Sequence, residues 1–433
     1  MPGRILTAFL FAVLAAAALA QETPAPARFF IERIEVRNAH RVAPHVIIAE
    51  SLLREGNEYS ENELREAAAR LSRLPFLLSS DFALEKGSER GRHVLVINIV
   101  ETKPFFFLID GRATVRDNNS QPVDYDFDPA AQTNDSALGF RWFVGGRGIV
   151  HAGMSVRRGR QAFSSNYTAW EVGYTQYDVF GSRAFVTVNL RVPVDSKSAK
   201  FVTPQVVAGV PLTTSQTLTF DYDDTVFERG TQRLFNTEYR NDRTERVLTL
   251  AWSYNTTNEP FVPTRGMFLR VAPFRTMRDR TTAHSVPVPI GGQPHFSEVA
   301  DHTNAQGADI TAFRYWELSE INSVSAGLVG GWANVATRRH PPLIGVPDNE
   351  TRQSYEVLQG GYSRKLHRFA PKNGESRLEL DGRVVLTQLK LRSGAEPFGA
   401  ATRDQRGYEA STNWVRRSLW GTLRLGFTYG WGY

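Results

Sequence analysis

The chain has 433 residues, no cysteine and a formal net charge of +6, from 51 Lys and Arg against 45 Asp and Glu. No disulfide framework is available to it, and its basic residues form no block of the kind a nucleic-acid binder needs. Past the N-terminus no stretch offers the ~18 consecutive apolar residues of a spanning helix, so any membrane crossing falls to strands.

The elements follow in chain order. Residues 1–20 read as a secretory signal: Arg4 supplies the positive start, Leu6 to Ala17 the apolar run, and Ala18-Leu19-Ala20 a small-x-small cleavage site. Residues 21–28 (QETPAPAR) read as a short linker. Residues 29–103 carry the helical patterning of the chain, in the order β-α-α-β-β. Phe30 to Val36 reads as a strand, and Val42, Val46, Ala49 and Leu53 recur on one face of a helix that Pro44 starts and Gly56 follows. Ser60 and Glu63 form a capping box for a second helix, whose apolar face is Leu64, Ala67, Leu71 and Leu74 before Pro75 stops it. Asp81 to Lys86 reads as a short strand, possible as a sheet edge. Val94 to Val100, nearly all β-branched or Leu, belongs in the sheet centre.

From 104 to 433 the reading is strand and loop. Fifteen segments alternate, near 105–114, 137–145, 148–159, 166–175, 183–193, 201–210, 216–226, 245–255, 266–275, 308–318, 323–335, 353–364, 376–390, 406–416 and 420–433. One more would give the even number of bacterial barrels, so a transmembrane antiparallel barrel of about 16 strands is expected. Ser376 to Lys390 sets Leu378, Leu380, Val384 and Leu386 on one face, and Arg377, Glu379, Asp381 and Arg383 on the other, which should line the lumen. Thr276 to Asn304 is expected to be a polar extracellular loop. The chain closes with Leu423, Leu425, Phe427, Tyr429, Trp431 and Tyr433 alternating with small or polar residues, including Gly426, Gly430 and Gly432. A soluble sandwich strand is the other reading of that segment. The rising aromatic density fits a barrel strand reaching an interfacial girdle.

Tyr254 to Arg270 reads as strand, turn and strand, with Pro260, Pro263, Thr264, Arg265 and Gly266 in the turn. It resembles the P-x-x-P-T-R-G hairpin of the BamA/TamA outer-membrane assembly superfamily. Tyr174 to Phe180, followed by Gly181, resembles another turn of that superfamily, and residues 29–103 resemble its POTRA domain. Members carry a loop folded into the lumen and tipped by an Arg in a V-R-G-[FY] motif. Gly360, Gly361 and Arg364 are similar to it, but Lys365 and Leu366 replace the Gly and aromatic that should follow. Arg364 is thus either the lumen anchor or an ordinary lumen or turn cation.

The resemblance implies an outer-membrane barrel with its N-terminal domain in the periplasm, assisting insertion or translocation of other proteins. Its partners would be outer-membrane lipid, unfolded or β-rich clients, the cell's barrel-assembly machinery reading the terminal strand, and a periplasmic accessory protein. A two-partner-secretion exporter and a passive or structural barrel are the alternatives. A weak seam between Phe105–Thr114 and the glycine-bearing last strand would permit lateral opening, and the same glycines could instead make lumen space. No catalytic constellation stands out. Asp124, Asp126 and Asp128 alternate but lack the Gly and closing Glu of a calcium loop, and Asp221, Asp223 and Asp224 read as an acidic strand face. No enzyme activity, cofactor, metal or nucleic acid is expected.

Overall fold

A computed structural model describes residues 27–116, 136–157, 167–193, 203–234, 237–259, 262–286, 295–334, 351–367, 374–391 and 402–431. The signal segment, Asp124, Asp126, Asp128, Pro260, Gly432 and Tyr433 lie outside the described residues.

The N-terminal unit is a four-stranded sheet carrying two helices. Its elements are β1 (Arg28–Arg37), α1 (Pro44–Ser51), β2 (Asn57–Ser60), α2 (Glu61–Ser72), β3 (Leu77–Lys86) and β4 (Arg92–Glu101). The order across the sheet is β2-β1-β4-β3, so the β-branched strand is central and β3 forms an edge. β2 is an addition to the β-α-α-β-β reading: four residues are too few to show an alternation. The capping box forms as the sequence implies. The Ser60 hydroxyl accepts from the Glu63 N–H at 3.3 Å, and Glu63 Oε2 accepts from the Ser60 N–H at 2.7 Å. α1 ends differently from the reading, because Leu52 itself takes the left-handed conformation (φ 62°) and Gly56 (φ 78°) turns the chain into β2. Val46, Ile47, Leu53, Leu64, Ala67 and Leu71 are buried against Ile31, Leu95, Ile97 and Ile99.

The remaining strands close a barrel of fifteen. They are β5 (Phe105–Arg116), β6 (Ser136–Val144), β7 (Gly148–Arg157), β8 (Tyr167–Gln176), β9 (Phe185–Pro193), β10 (Thr203–Pro211), β11 (Gln216–Leu234), β12 (Thr237–Asn255), β13 (Gly266–Val286), β14 (His295–Glu317), β15 (Asn322–Ala333), β16 (Thr351–Lys365), β17 (Gly374–Leu391), β18 (Thr402–Ser418) and β19 (Gly421–Trp431). Each alternating segment of the sequence falls on one of them, and no sixteenth strand occurs among the described residues. Parity then dictates how the wall closes. With an odd number of up-and-down strands the first and last run the same way, and β19 pairs β5 in parallel, from Gly421↔Phe107 to Gly430↔Arg116. The other neighbouring pairs of the barrel are antiparallel.

Strand length divides the wall. β6 to β10 have 9 or 10 residues each. At about 3.3 Å per residue and about 40° tilt they span roughly 25 Å, the height of an apolar barrel band. β11 to β14 have 19 to 23 residues and run well past that height. This corrects the reading of Thr276 to Asn304 as a loop over 276–286 and 295–304, where β13 and β14 stay paired from Gly266↔Tyr315 to Val286↔His295; residues 287–294 lie outside the described residues. The charged sequence there hides the strands from a reading based on apolar alternation.

The two faces of the wall separate cleanly. In β19, Leu425, Phe427, Tyr429 and Trp431 are exposed outward, while Thr422, Arg424 and Thr428 are buried inward. In β17, Leu378 and Leu380 point out and Arg377 is buried inside. The alternation read from the sequence holds in both.

Candidate functional site

The short turns of the barrel, between β6 and β7, β8 and β9, β10 and β11, and β12 and β13, gather at the end where the small unit sits, and strands and turns of the wall grip it. The segment following α2 (Arg73-Leu74-Pro75-Phe76) enters the mouth. Phe76, 2% exposed, packs edge-on against Phe143 of β6 (5.4 Å between ring centres) and Tyr177 of the β8–β9 turn (5.4 Å). Ile149 and Phe185 join the same core. Trp142 and Val144 face outward, so by alternation Phe143 faces the lumen. The core of the small unit therefore continues into the barrel mouth.

Three arginines tie this apolar contact to backbone carbonyls. Arg73 donates to Thr257 O at 2.8 Å and Thr214 O at 3.3 Å, in two different turns. Arg141 of β6 donates to Pro75 O at 2.6 Å while its guanidinium lies 3.9 Å above the Phe106 ring. Arg417 of β18 donates to Leu77 O at 3.3 Å and pairs with Glu259. Burial, helped by the nearby Arg70 charge, pushes the Arg73 guanidinium down to about 9, and the attraction of Glu66 offsets only part of that.

A buried ion pair stands behind the contact. Arg70 reaches Glu50 Oε2 at 3.1 Å and the Glu50 carbonyl at 2.7 Å. Glu50 is 2% exposed, and its Oε1 has no hydrogen-bond partner among the described residues. Burial raises the Glu50 carboxyl and lowers the Arg70 guanidinium, each toward its neutral form, and outweighs their mutual attraction. Arg70→Met is expected to cost about 3–5 kcal/mol at neutral pH, because it strands a buried carboxylate. A raised folded pKa means that the contribution of Glu50 is full below its unfolded value and is lost as pH rises through the folded one. The penalty of Arg70→Met should therefore shrink on acidification. Thermal unfolding of both proteins from neutral pH to about pH 4, near the unfolded carboxylate value, checks this; a constant difference counts against it.

The hairpin that resembles the superfamily motif is part of this grip. Asn258 Oδ1 accepts from the backbone N–H groups of Thr264 (3.1 Å) and Arg265 (3.3 Å), and its Nδ2 donates to the buried Thr264 hydroxyl at 3.0 Å. Gly266 sits at φ 102°, where a Cβ would lie 2.3 Å from Thr256 O. The Thr and Gly of the motif thus brace a turn whose Thr257 carbonyl accepts from Arg73 of the small unit and whose Glu259 carboxylate pairs with Arg417, the β18 residue that reaches Leu77 O. The Arg265 side chain lies 4.0 Å from Glu317 at the surface, and Pro263 borders the lumen cleft described next.

Inside the wall two polar groups form. Between β8 and β11, Arg191 contacts Glu171 (3.3 Å), Gln205 (2.7 Å) and Asp223 (3.7 Å), and Gln205 donates to Asp221 at 3.2 Å. Asp221 and Asp223 thus serve the lumen face. No group of metal-ligating side chains forms among the described residues. On the opposite wall a small cleft is lined by Tyr315, Ser325, Gln359, Glu379, Asp381, Arg383 and Arg424.

Gly360, Gly361 and Arg364 do not form an inward loop. They lie in β16, paired on both sides: Gly361 with Ser325 and Asp381, and Arg364 with Asn322 and Leu378. Arg364 is exposed. The absence of a side chain at Gly361 makes room for Asp381, whose Oδ1 would lie 2.4 Å from a Cβ there. A double glycine suits a tight turn and a crowded strand alike, and cross-strand partners decide between them.

The glycines of the last strand also serve their neighbours. A Cβ on Gly421 (φ 144°) would lie 1.8 Å from Phe107 O, and one on Gly426 would lie 2.0 Å from Asn413 Oδ1. Neither clearance leaves space for an inward loop. Gly430 is buried on the inward face of the seam, opposite Arg116, and Phe427, Tyr429 and Trp431 form its outer face.

The contacts of Arg73, Phe76, Arg141 and Arg417 and the Glu50–Arg70 pair escaped sequence reading. Arg73-Leu74-Pro75-Phe76 had one visible signal, an aromatic directly after the proline that stops a helix. Family models and curated proteins give no match to this sequence. Among solved structures it is similar to BamA from Haemophilus ducreyi lacking POTRA domains 1–3, at 13% sequence identity and a TM-score of 0.39, over 94% of this chain and 81% of that one.

Proposed function

We propose that the chain is an outer-membrane barrel protein whose small POTRA-like domain, on the periplasmic side, helps insert or translocate other β-rich proteins. The observation that carries this is the edge strand β3. Among the described residues it pairs with β4 alone, and Asp81, Ala83, Leu84, Glu85 and Lys86 are exposed. An unpaired edge beside a barrel mouth offers backbone groups to an extended client strand, a mode that reads main chain rather than sequence. The outward apolar face, strands matched to a bilayer and the resemblance of the β12–β13 hairpin support the placement.

The seam supports lateral release. Parallel pairing is slightly weaker per residue than antiparallel, and β19–β5 is where the described wall uses it. A passive pore is the less favoured reading, because Phe76 and its neighbours occupy the mouth.

A disulfide lock tests the proposal. The register puts Leu108 opposite Thr422, so Leu108→Cys with Thr422→Cys places two thiols across the seam of a chain that has no others. The oxidised protein is expected to lose client insertion and regain it on reduction, with unchanged conductance. A locked protein that still passes its client points to export through the lumen, and one with no client activity in either state points to a structural barrel.

A further inference from the structure

The β8–β9 turn does more than fill the mouth with Tyr177. Phe180, three residues on, is a fully exposed phenylalanine. Its backbone sits in the left-handed region (φ 53°, ψ 29°), which a phenylalanine rarely adopts. Asp178 (φ 50°) and Arg183 (φ 63°) share that conformation. The loop is braced throughout: Val179 N–H donates to Ala184 O (2.9 Å), Gly181 N–H to Asp178 O (3.2 Å), Ser182 N–H to Val179 O (3.0 Å), and Arg183 N–H to Asp178 Oδ1 (3.2 Å). Its root is fixed, since Tyr177 is buried and its N–H donates to Arg147 O at 2.9 Å. The Asp178 carboxylate turns inward, 3.9 Å from Arg147. A rigid, strained loop thus directs its charge at the protein and its aromatic ring away from it.

The surroundings say what covers that ring. Trp170, Val172 and Tyr174 form the outward face of β8, and Val188, Leu190 and Val192 that of β9. Both strands match the apolar thickness of a bilayer, so the turn joining them lies at the headgroup level. Trp142, Leu212, Trp316, Leu318 and Trp420 are exposed at the same end of other strands and turns. Phe180 continues this ring of interfacial side chains beyond the strand end.

We propose that Phe180 is a lipid anchor, inserted among the headgroups and upper acyl chains of the leaflet on the small-domain side, which fixes the height of the turn that holds Tyr177 against Phe76. This rests on the membrane-barrel reading above, and the test separates the two. Single cysteines are introduced at Phe180, at Leu190 on the outer wall and at Glu89 on the small domain. Each carries an environment-sensitive fluorophore, in protein reconstituted into phosphatidylethanolamine–phosphatidylglycerol vesicles. Nitroxide lipids labelled near the carbonyl should quench the label at 180 several-fold more than the label at 89, and iodide should quench it correspondingly less. Strong lipid quenching at 190 with a label at 180 as iodide-accessible as that at 89 would overturn the anchor and leave the barrel standing; it would mean that the loop faces water or a periplasmic protein. Absence of lipid quenching at 190 would overturn both.

Discussion

Gly421→Val is expected to leave the barrel unclosed. A Cβ at this position would lie 1.8 Å from Phe107 O and 2.8 Å from Phe107 N and C, so the obstruction is backbone and cannot rotate away. Valine is also badly placed at φ 144°. The first paired position of the seam is Gly421↔Phe107, and Phe107 N–H donates to Trp420 O at 2.9 Å just before it. Moving either strand aside breaks both. The expected loss exceeds about 3 kcal/mol, combining steric overlap with backbone strain. Two glycines calibrate it. At Gly426 the obstacle is the Asn413 side chain, which can shift, so Gly426→Ala should cost about 1–3 kcal/mol. At Gly382 nothing lies within 4 Å, so Gly382→Ala should stay within about 0.5 kcal/mol of wild type. The heat-modifiable fraction on cold gels and the melting temperature should rank the three in that order. If Gly421→Val runs like Gly382→Ala, the parallel closure is wrong.

Phe76→Ala is expected to detach the small unit from an otherwise intact barrel. Removing a buried phenylalanine costs about 3–5 kcal/mol. Here much of the loss falls on the ring contacts with Phe143 and Tyr177, which belong to the other unit. Barrel heat-modifiability should persist, proteolytic cleavage between residues 73 and 78 should accelerate, and conductance in planar bilayers should rise as the mouth clears. Arg141→Met, which loses the bond to Pro75 O, should shift the same measurements in the same direction by less. Unchanged proteolysis and conductance in Phe76→Ala would show that the segment does not hold the domain in place.

The relation of sequence to structure is uneven, and the reasons are physical. The capping box at Ser60 and Glu63, the apolar face of α2 and the alternation in β17 and β19 were legible because each depends on neighbours one to four residues away along a regular element. The wall strands were legible for the same reason: one face meets an apolar medium and the other does not, and the chain writes that with period two.

What required tertiary structure involves partners far apart in the chain. Arg73 finds Thr257, and Arg417 finds Leu77, across separations no local pattern spans. The residues of the Pro263-Thr264-Arg265-Gly266 turn could be named from resemblance, but its grip on the small unit appears once Thr257 O is placed against Arg73. Arg364 and the glycines at 360 and 361 suit a loop tip by composition; pairing on both sides puts them in a wall. The ends of β13 and β14 escaped because their charged residues carry no apolar period, and there the backbone ladder holds the strands together. Alternation, caps and turns are local and were set by the sequence alone. Strand parity, the parallel seam and the docked domain depend on how the chain closes on itself, and only the folded chain decides that.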